Sequence, residues 1–285
     1  MKVAIVGLGL IGGSFALDLK AHQLCEHVIG VDQNPEHIEE AIKLGIINEG
    51  LTLSEATEEV DLIVIAIPVN HIPELLQQVL DGIDRRKVVL DMGSTKENIC
   101  AAVANHVNRS SYVACHPIAG TENTGPSAAF SGLYKGKVNI ICENKLSSPA
   151  ALKQAVMLFE TIGMKNVFME ASEHDKHIAY VSHLSHISSF ALGKTVLEIE
   201  DSENNIFNMA GSGFASTVRL AKSSPNMWAP IFDQNAKNIS TALGAYIDNL
   251  KEFKDYIDKH QSDKIRQVMT EVNEIGRVLK GIDLK

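Results

Sequence analysis

The sequence predicts an α/β fold in which a doubly wound parallel sheet comes first and an all-helical domain follows it. Along the first half, short apolar runs rich in β-branched residues alternate with amphipathic stretches of helical period. After Glu173 no strand-like alternation is seen, and long segments with a period of about 3.6 residues replace it. We therefore divide the chain into a sheet domain of residues 1–170 and a helical domain of residues 171–285.

The predicted strands are apolar runs bounded by turn-forming residues, a pattern typical of parallel strands that are buried on both faces. They cover residues 3–6, 28–31, 62–67, 88–92, 112–115 and 138–142, with a short last strand at 166–168. Helices are predicted at residues 13–21, 35–44, 72–80, 96–107 and 149–162, where apolar side chains recur on one face. This alternation of strands and helices indicates a doubly wound sheet.

The composition excludes several classes of protein. The chain has 285 residues, 45% of them hydrophobic, which is enough for two domains. Its 35 acidic side chains outnumber 26 basic ones, so we expect no nucleic-acid partner. The apolar N-terminus is broken by glycines and lacks a cleavage site, which predicts no signal peptide, no membrane span and a cytoplasmic protein. The four widely spaced cysteines form no CxxC pair and are interpreted as buried small hydrophobes.

A glycine motif near the N-terminus predicts a dinucleotide site. Gly7, Gly9 and Gly12 form G-x-G-x-x-G between the first predicted strand and the first helix, as in a Rossmann domain. Such glycines allow a tight turn and a close approach of the backbone to a diphosphate at the helix N-terminus. Asp32 ends the second strand, where a carboxylate binds ribose hydroxyls and repels a 2′-phosphate. The predicted cofactor is therefore NAD, although a structural glycine turn and a solvent-exposed aspartate are the simpler alternative.

Two more segments end predicted strands at the edge where such sheets bind ligands. They are "IAIPV" at residues 65–69 and "DMGSTK" at residues 91–96, and both are candidates for the nicotinamide side of the site. The full set of predicted cofactor-binding residues is Gly7, Gly9, Leu10, Ile11, Gly12, Asp32, Pro68 and Ser94.

The segment "HPIAGTENTG" at residues 116–125 holds the candidate catalytic base, His116. Removal of hydride from an alcohol requires a group that takes the hydroxyl proton, and imidazole has a suitable pKa near neutrality. His116 follows a predicted strand at its carboxyl end and precedes Pro117, which stiffens the backbone there. The alternative is a loop histidine without a catalytic role.

Five motifs in order resemble the prephenate dehydrogenase family, including its arogenate-using relatives. They are "GLGLIGGS", "DMGSTK", "HPIAGTENTG", "SHLSH" and "GSGFASTVRLAKSSPNMW", and they extend over nearly the whole chain. The resemblance implies NAD-dependent oxidation of prephenate with loss of CO2, a step of tyrosine biosynthesis, without a metal. It also implies a homodimer formed through the helical domain. Residues 178–197, which are apolar on more than one helix face, are consistent with a buried subunit contact.

The resemblance also assigns residues to the reaction. His116 is the acceptor for the proton of the ring hydroxyl, and Ser94 orients both that hydroxyl and the histidine. Arg219 binds a substrate carboxylate, for which a guanidinium provides two parallel donors. The resemblance further implies substrate contacts by Ser182, His183, His186 and Trp228, with core packing as the alternative for Trp228. Thr121 and Glu122, in the loop after His116, are further candidates for contacts with the pyruvyl end, and solvated turn residues are the alternative there.

The sequence departs from the family pattern at two places. Ser185 stands where the family usually has proline, and Ala215-Ser216 stands where Arg-Asp is common. The first change affects the local helix start, and the second puts local contacts of the substrate domain in doubt.

Other interpretations remain open at this point. A metal site would use His183 and His186 with His174 and His177, but no further ligand has a recognised spacing and the nearby acids are interpreted as ordinary helix-start residues. A hydroxyacid dehydrogenase of the 6-phosphogluconate type would require a lysine in the helical domain, for which the candidates are Lys176 and Lys194. A non-catalytic NAD-sensing module would lack the base and the arginine. Neither prephenate nor arogenate is singled out by the sequence alone.

Overall fold

The computed structural model describes residues 1–200 and 206–280 of the chain. Its sheet has eight strands in the order β3-β2-β1-β4-β5-β6-β7-β8. They are β1 (Lys2–Val6), β2 (His27–Val31), β3 (Glu49–Gly50), β4 (Leu62–Ile65), β5 (Val88–Asp91), β6 (Tyr112–Pro117), β7 (Val138–Cys142) and β8 (Lys165–Met169). The predicted α/β fold class is confirmed, and only the two-residue β3 was missed by the sequence pattern.

One prediction about the sheet is wrong: its strands are not all parallel. Strands β1 to β6 pair in parallel, but β7 pairs antiparallel with β6, and β8 then pairs parallel with β7. An apolar strand buried on both faces looks the same in either direction, so its composition carries no information on polarity. The segment between β6 and β7 is long enough for a crossover, but it contains only the short 3-10 turn Pro126–Ala128 in place of the α-helix that usually links parallel strands.

Strand β6 is also longer than predicted. It runs through Pro117, and His116 pairs with Ile140 of β7 in the register of the sheet. His116 is therefore held by a strand and not by the loop that follows it.

Helices connect the strands, and after Met169 the regular structure of the described residues consists only of helices and short helical turns. They are α1 (Leu10–Ala21), α2 (Pro35–Lys43), α3 (Leu53–Glu59), α4 (Ile72–Gly82), α5 (Glu97–Ala102), α6 (Pro149–Thr161), α7 (Ala171–Ile178), α8 (Leu184–Glu200), α9 (Ser212–Thr217), α10 (Pro225–Gln234), α11 (Ala236–Asp258), α12 (Ser262–Val272) and α13 (Gly276–Leu279). Helix α3 was not predicted, although Thr52 and Glu55 form a capping box at its start and this spacing is visible in the sequence.

The core lies on both faces of the sheet because successive side chains of a strand point to opposite sides. Val3 and Ile5 of β1 pack on the side of α1 and α6, in a cluster that contains Phe15 and Phe159. The opposite side chains of β1 pack with α3, α4 and α5 in a second cluster, which also takes in Trp228 of α10. Burial of each large side chain stabilises the fold by about 1.5–3 kcal/mol.

The chain forms two compact units, one from Met1 to Ala236 and the other from Lys237 onward. The first unit contains the whole sheet together with helices α7 to α10. These units divide the chain at a different place from the expected domain boundary at residue 170, and that boundary stays a prediction.

The structure tests two predictions made from the composition, one on the cysteines and one on membrane spans. All four cysteines are free thiols, and three of them are buried, whereas Cys25 is only half-buried. The interpretation as buried small hydrophobes is therefore correct for three of the four. Over the ranges that the structure describes, no helix is both long enough and apolar enough to cross a bilayer.

Candidate active site

The glycine turn between β1 and α1 fits a dinucleotide phosphate. Gly7 has a φ of +95°, and a Cβ atom there would lie 2.4 Å from the carbonyl oxygen of Ala66. A Cβ atom at Gly12 would lie 2.1 Å from the carbonyl oxygen of Gly7, so only glycine allows this packing of strand and helix. Around the Cβ position of Gly9 nothing lies within 4 Å, which leaves open space at the N-terminus of α1. This is the arrangement in which helix N–H groups bind an anion.

Asp32 is held against the same turn. Its Oδ2 atom accepts the N–H of Leu8 at 2.9 Å, and its Oδ1 atom accepts the N–H of Asn34 at 2.9 Å. The Nδ1 atom of His37 lies 3.4 Å from Oδ1. The partly buried carboxylate is thus fixed at the end of β2, where it is available to the hydroxyls of an adenosine ribose.

The other predicted cofactor residues surround this turn at the carboxyl ends of the strands. Leu10 opens α1, but its side chain is buried in the core, so only its backbone faces a ligand; Ile11 is half-buried. Pro68 follows β4 and is exposed. Ser94 follows β5, is half-buried, and makes no hydrogen bond to another described residue.

Most of the "DMGSTK" segment does not face a ligand, contrary to expectation. Asp91 is fully buried, and its carboxylate accepts the hydroxyl of Tyr112 at 2.6 Å and the N–H groups of Gly93 at 2.9 Å and Cys115 at 3.2 Å. The same carboxylate forms an ion pair with the ammonium of Lys96, which is also fully buried. Asp91 and Lys96 therefore anchor the turn that carries Ser94, and they belong to the core.

Lys96 stays charged in its buried ion pair with Asp91. Burial is the largest single influence and would lower the pKa of Lys96, but the charge of Asp91, its hydrogen bond to Lys96 and the smaller effects of nearby groups together outweigh burial, and the net pKa is raised. Burial, followed by the charge of Asp91, raises the pKa of Tyr112 well above its usual range, so the phenol stays a donor. The buried cation and anion neutralise each other and fix the geometry after β5.

His116 lies at the carboxyl end of β6 with only 8% of its surface exposed. Its Nδ1 atom lies 2.8 Å from Nε2 of His174, and Nδ1 of His174 lies 2.7 Å from Oδ1 of Asp175. Burial, and then the nearby groups His174, Lys96 and His183, lower the pKa of His116 well below 6.5. The imidazole is therefore neutral at neutral pH, and a neutral imidazole is able to accept a proton.

Asp175 was not predicted to have a role, and its interpretation as an ordinary helix-start acid is wrong. The residue is only 1% exposed, and its side chain accepts the backbone N–H groups of Lys96 at 2.7 Å and Glu97 at 2.9 Å. Asn235 donates to its carbonyl oxygen at 2.7 Å. The adjacent His-Asp pair was visible in the sequence, but His116 lies 58 positions from His174, so the pattern alone did not link them.

The "SHLSH" segment does not form a regular helix. Residues Ala179–His183 are a π-helical turn between α7 and α8, and π-helical turns are frequent at functional sites. His183 is buried and its Nδ1 atom lies 3.2 Å from the amide nitrogen of Asn235. Burial is the main cause that lowers the pKa of His183 to about 4. Ser182 is half-buried, and its carbonyl accepts a hydrogen bond from Nδ1 of His186 at 3.0 Å.

Trp228 joins the two predicted histidine contacts. Its indole is 7% exposed, stacks on His186 with ring centroids 3.5 Å apart, and meets His183 edge-on at 5.9 Å. Its Nε1 atom is buried and has no partner among the described residues. Burial is the largest cause that lowers the pKa of His186, and the charge of Arg219 lowers it further.

Arg219 begins a 3-10 turn, Arg219–Lys222, that packs against α8. It is exposed and forms no ion pair with any residue in the described ranges, while its charge is close enough to act on His186. The guanidinium is therefore available to an anionic ligand on the side of His186.

Thr121 and Glu122 are exposed in the loop after β6. They border a cleft of about 600 Å³ whose other lining residues are Asn123, Thr124, Ser127, Ala128 and Phe130. The loop is tied to α1, because the N–H of Phe130 donates to Oγ of Ser14 at 3.1 Å. The cleft is thus built next to the helix that carries the glycine turn.

The structure also bears on the alternative interpretations. Within residues 1–200 and 206–280, no three His, Cys, Asp or Glu side chains are grouped so that they could hold a metal ion. Lys176 and Lys194 are both exposed, and Lys194 lies 3.5 Å from Glu198 in a surface ion pair.

Comparisons with known proteins agree over most of the chain. A family model described as "Prephenate dehydrogenase, nucleotide-binding domain" matches residues 15–168, and one described as "Prephenate dehydrogenase, dimerization domain" matches residues 170–271. A crystal structure of prephenate dehydrogenase from A. aeolicus in complex with hydroxyphenyl propionate and NAD+ matches with a TM-score of 0.89 and 32% identity, covering 98% of this chain and 97% of that one.

Curated relatives give the same result. Prephenate dehydrogenase of Bacillus subtilis is 28% identical, over 92% of this chain and 72% of the relative. Cyclohexadienyl dehydrogenase of Zymomonas mobilis is 27% identical, over 98% of this chain and 96% of the relative. Family models, relatives and structure agree, and the chain belongs to the prephenate dehydrogenase family.

Proposed function

We propose that this protein is an NAD-dependent prephenate dehydrogenase that oxidises and decarboxylates prephenate to 4-hydroxyphenylpyruvate in tyrosine biosynthesis. The observation that carries the proposal is His116: a neutral, buried imidazole at the carboxyl edge of the sheet, with Nδ1 engaged by His174. No residue in the described ranges binds its Nε2 atom, which leaves that nitrogen for a substrate hydroxyl.

The glycine turn and Asp32 are the residues that hold the cofactor. Open space at Gly9 and the N-terminus of α1 accommodate the diphosphate, and Asp32 binds the ribose hydroxyls. When bound, NAD accepts a hydride from the ring carbon that carries the hydroxyl group. A 2′-phosphate would meet the carboxylate of Asp32, which favours NAD over NADP.

His116 performs the proton transfer. Its Nε2 atom accepts the proton of the ring 4-hydroxyl as hydride leaves C4, so the C–O bond becomes a carbonyl. The resulting dienone aromatises when the ring carboxylate leaves as CO2: the electrons of the broken C–C bond enter the ring, and the carbonyl oxygen takes a proton back from His116 to become the phenol hydroxyl. Aromatisation provides the driving force for this second step, so the protein has to supply one base and correct orientation.

Prephenate carries two carboxylates, and Arg219 provides a cation for one of them. The guanidinium is exposed, acts on His186 by its charge, and offers two parallel donors that suit a carboxylate. His186, stacked on Trp228, and the half-buried Ser182 border the same region, with His183 behind them. Ser94 orients the ring hydroxyl, and Thr121 and Glu122 contact the pyruvyl end from the loop after β6.

We assign the exposed apolar side chains of α12 and of the 3-10 turn that follows it, Asn273–Ile275, to a homodimer contact. Met269, Val272 and Ile275 recur every three residues and are 57%, 59% and 54% exposed. Such a row is costly in water and is typical of a surface that a second subunit covers. Light scattering of the wild type should give twice the mass of one chain, and Val272→Glu with Ile275→Glu should shift it toward the monomer. A monomeric wild type at micromolar concentration contradicts this assignment.

The test of the proposed activity is an NADH-forming assay with four reactant pairs, namely prephenate or arogenate with NAD or NADP. We expect the highest kcat/KM with prephenate and NAD, together with one CO2 released for each NADH formed. A higher kcat/KM with arogenate would replace the substrate by its amino analogue and keep the reaction type. No turnover of either compound would overturn the proposed function.

A further inference from the structure

A chain of hydrogen bonds runs from Asp175 through His174 to His116, and its direction follows from its first member. Both carboxylate oxygens of Asp175 face backbone N–H groups, those of Lys96 and Glu97 at 2.7 and 2.9 Å. Backbone N–H groups only donate, so the Asp175 side chain accepts from both. Its third partner, Nδ1 of His174 at 2.7 Å, must therefore carry the hydrogen.

The hydrogen on Nδ1 of His174 determines the direction of the next hydrogen bond, between His174 and His116. A neutral imidazole that donates from Nδ1 has a lone pair on Nε2. Nε2 of His174 lies 2.8 Å from Nδ1 of His116, so His116 donates through Nδ1. The lone pair of His116 is then on Nε2, the nitrogen that no residue of the described ranges binds.

We propose that His174 and Asp175 are positioning residues, which select the tautomer of His116 that has its lone pair on Nε2 and hold the ring in place. The inference rests on the proposed role of His116 as base. Without these two residues, His116 is free to place its hydrogen on Nε2, and in that form it cannot accept a proton there.

Asp175 also fixes the position of other parts of the site. By accepting the N–H of Lys96 it holds the turn that carries Ser94, and Asn235 links its carbonyl at 2.7 Å to Nδ1 of His183 at 3.2 Å. The ionisable groups that act on His116 are His174, Lys96 and His183, and all three make its protonated form less stable. The ring is therefore neutral as well as oriented.

The kinetic test compares two substitutions at His174. His174→Phe keeps a ring in the buried site but removes both nitrogens, and we expect kcat to fall at least about 10²-fold, the scale of a misplaced or wrongly protonated base. His174→Gln keeps an oxygen that can accept from Nδ1 of His116, and kcat should stay within about tenfold of the wild type. His177→Phe is the matched control, because His177 is exposed on the same helix, and its kcat should not change.

A second measurement reads the tautomer directly and does not depend on turnover. In the cofactor-free protein with 15N-labelled histidine, NMR should show Nδ1 protonated and Nε2 unprotonated for both His116 and His174. His116 should lose this single form in His174→Phe and retain it in His174→Gln. Protonation of His116 at Nε2 in the wild type would overturn the proposal, as would a doubly protonated His174 at neutral pH.

Combining substitutions separates the inference from the proposed function and from a fold defect. If His174 acts through His116, then His174→Phe should reduce kcat no further in a His116→Asn background. An additional loss in the double variant would instead indicate a general structural role. Full activity of His116→Asn would refute the proposed base itself. A fall in kcat for His116→Asn without a fall for His174→Phe would overturn only the positioning role of His174. Circular dichroism and NAD affinity report whether each variant is folded.

Discussion

The imidazole of His186 lies flat on the indole of Trp228, with ring centroids 3.5 Å apart and an angle of 25° between the planes. Because Nδ1 of His186 donates to the carbonyl of Ser182, its Nε2 atom is the one left for a ligand. Trp228 is the only tryptophan in the chain, so its emission reports on this one place.

We expect prephenate to change the intrinsic fluorescence of Trp228 in a saturable way, because substrate next to His186 alters the surroundings of the indole. Titration in the absence of NAD measures this. His186→Ala should reduce the amplitude, and Lys194→Ala, on the exposed surface of α8, serves as the control. A titration curve without any saturable change would remove Trp228 from the substrate pocket.

Replacement of the base should affect the chemical step and its pH dependence. His116→Asn should lower kcat about 10²–10⁴-fold, the usual contribution of a general base, with little change in substrate affinity. Because burial and neighbouring charges lower the pKa of His116 well below 6.5, the protonated, inactive form accumulates only in acid. The wild-type kcat/KM should therefore fall on acidification well below pH 6.5. The kcat/KM of the Asn variant should not show this acidic fall. Stopped-flow NADH formation across the acid range measures both.

Arg219 should contribute to substrate binding and not to cofactor binding. Because it is exposed in the free protein, we place the effect of Arg219→Ala near the low end of the range for truncated charge pairs, about 2 kcal/mol, or roughly a 30-fold rise in KM. Arg219→Lys should recover only part of this, since lysine lacks the two-pronged geometry. Lys222→Ala in the same turn is the control, and NAD affinity should stay unchanged in all three. An unaltered KM in Arg219→Ala would assign this arginine to the outer surface.

Asp32 should determine the choice of cofactor. We expect NAD to give a higher kcat/KM than NADP, because a 2′-phosphate would lie next to a partly buried carboxylate. Asp32→Asn should bring the kcat/KM values for NAD and NADP closer together, while its amide oxygen still accepts the N–H of Leu8. Glu36→Gln, an exposed acid in the first turn of α2, tests whether any nearby negative charge has the same effect. Equal turnover of the two cofactors by the wild type would contradict the prediction.

His183 should make the fold sensitive to acid. Its pKa is about 4 in the folded protein and 6.5 in an ordinary environment, so the unfolded chain binds an extra proton between these values. Unfolding is then favoured as the pH falls from 6.5 toward 4, and the linkage amounts to about 3 kcal/mol at full extent. Urea unfolding at several pH values measures the free energy of unfolding as a function of pH. Between pH 4 and 6.5 this free energy should change less steeply with pH in His183→Gln than in the wild type. The same pH dependence of the unfolding free energy in both proteins would show that His183 titrates normally.

Much of the candidate site follows from local sequence. The glycine spacing at residues 7–12 and the acid at the end of β2 need particular backbone shapes and short-range partners, which are written into adjacent residues. Strand ends place Ser94 and His116 at one edge of the sheet, because the carboxyl ends of parallel strands meet there. The order of motifs was sufficient to identify the family, which the comparisons confirm.

The sequence by itself determined the alternation of strands and helices, the dinucleotide turn and the residue types available for the chemistry, because these depend on periodicity and on neighbours along the chain. The tertiary structure decided the direction of β7, the burial of Asp91 with Lys96, and the pairing of His116 with His174. Asp175 binds a backbone N–H that lies 79 positions away, and such a partner is selected only when the sheet and α7 pack together. The sequence supplies the imidazole of His116, and the fold decides which of its two nitrogens faces His174.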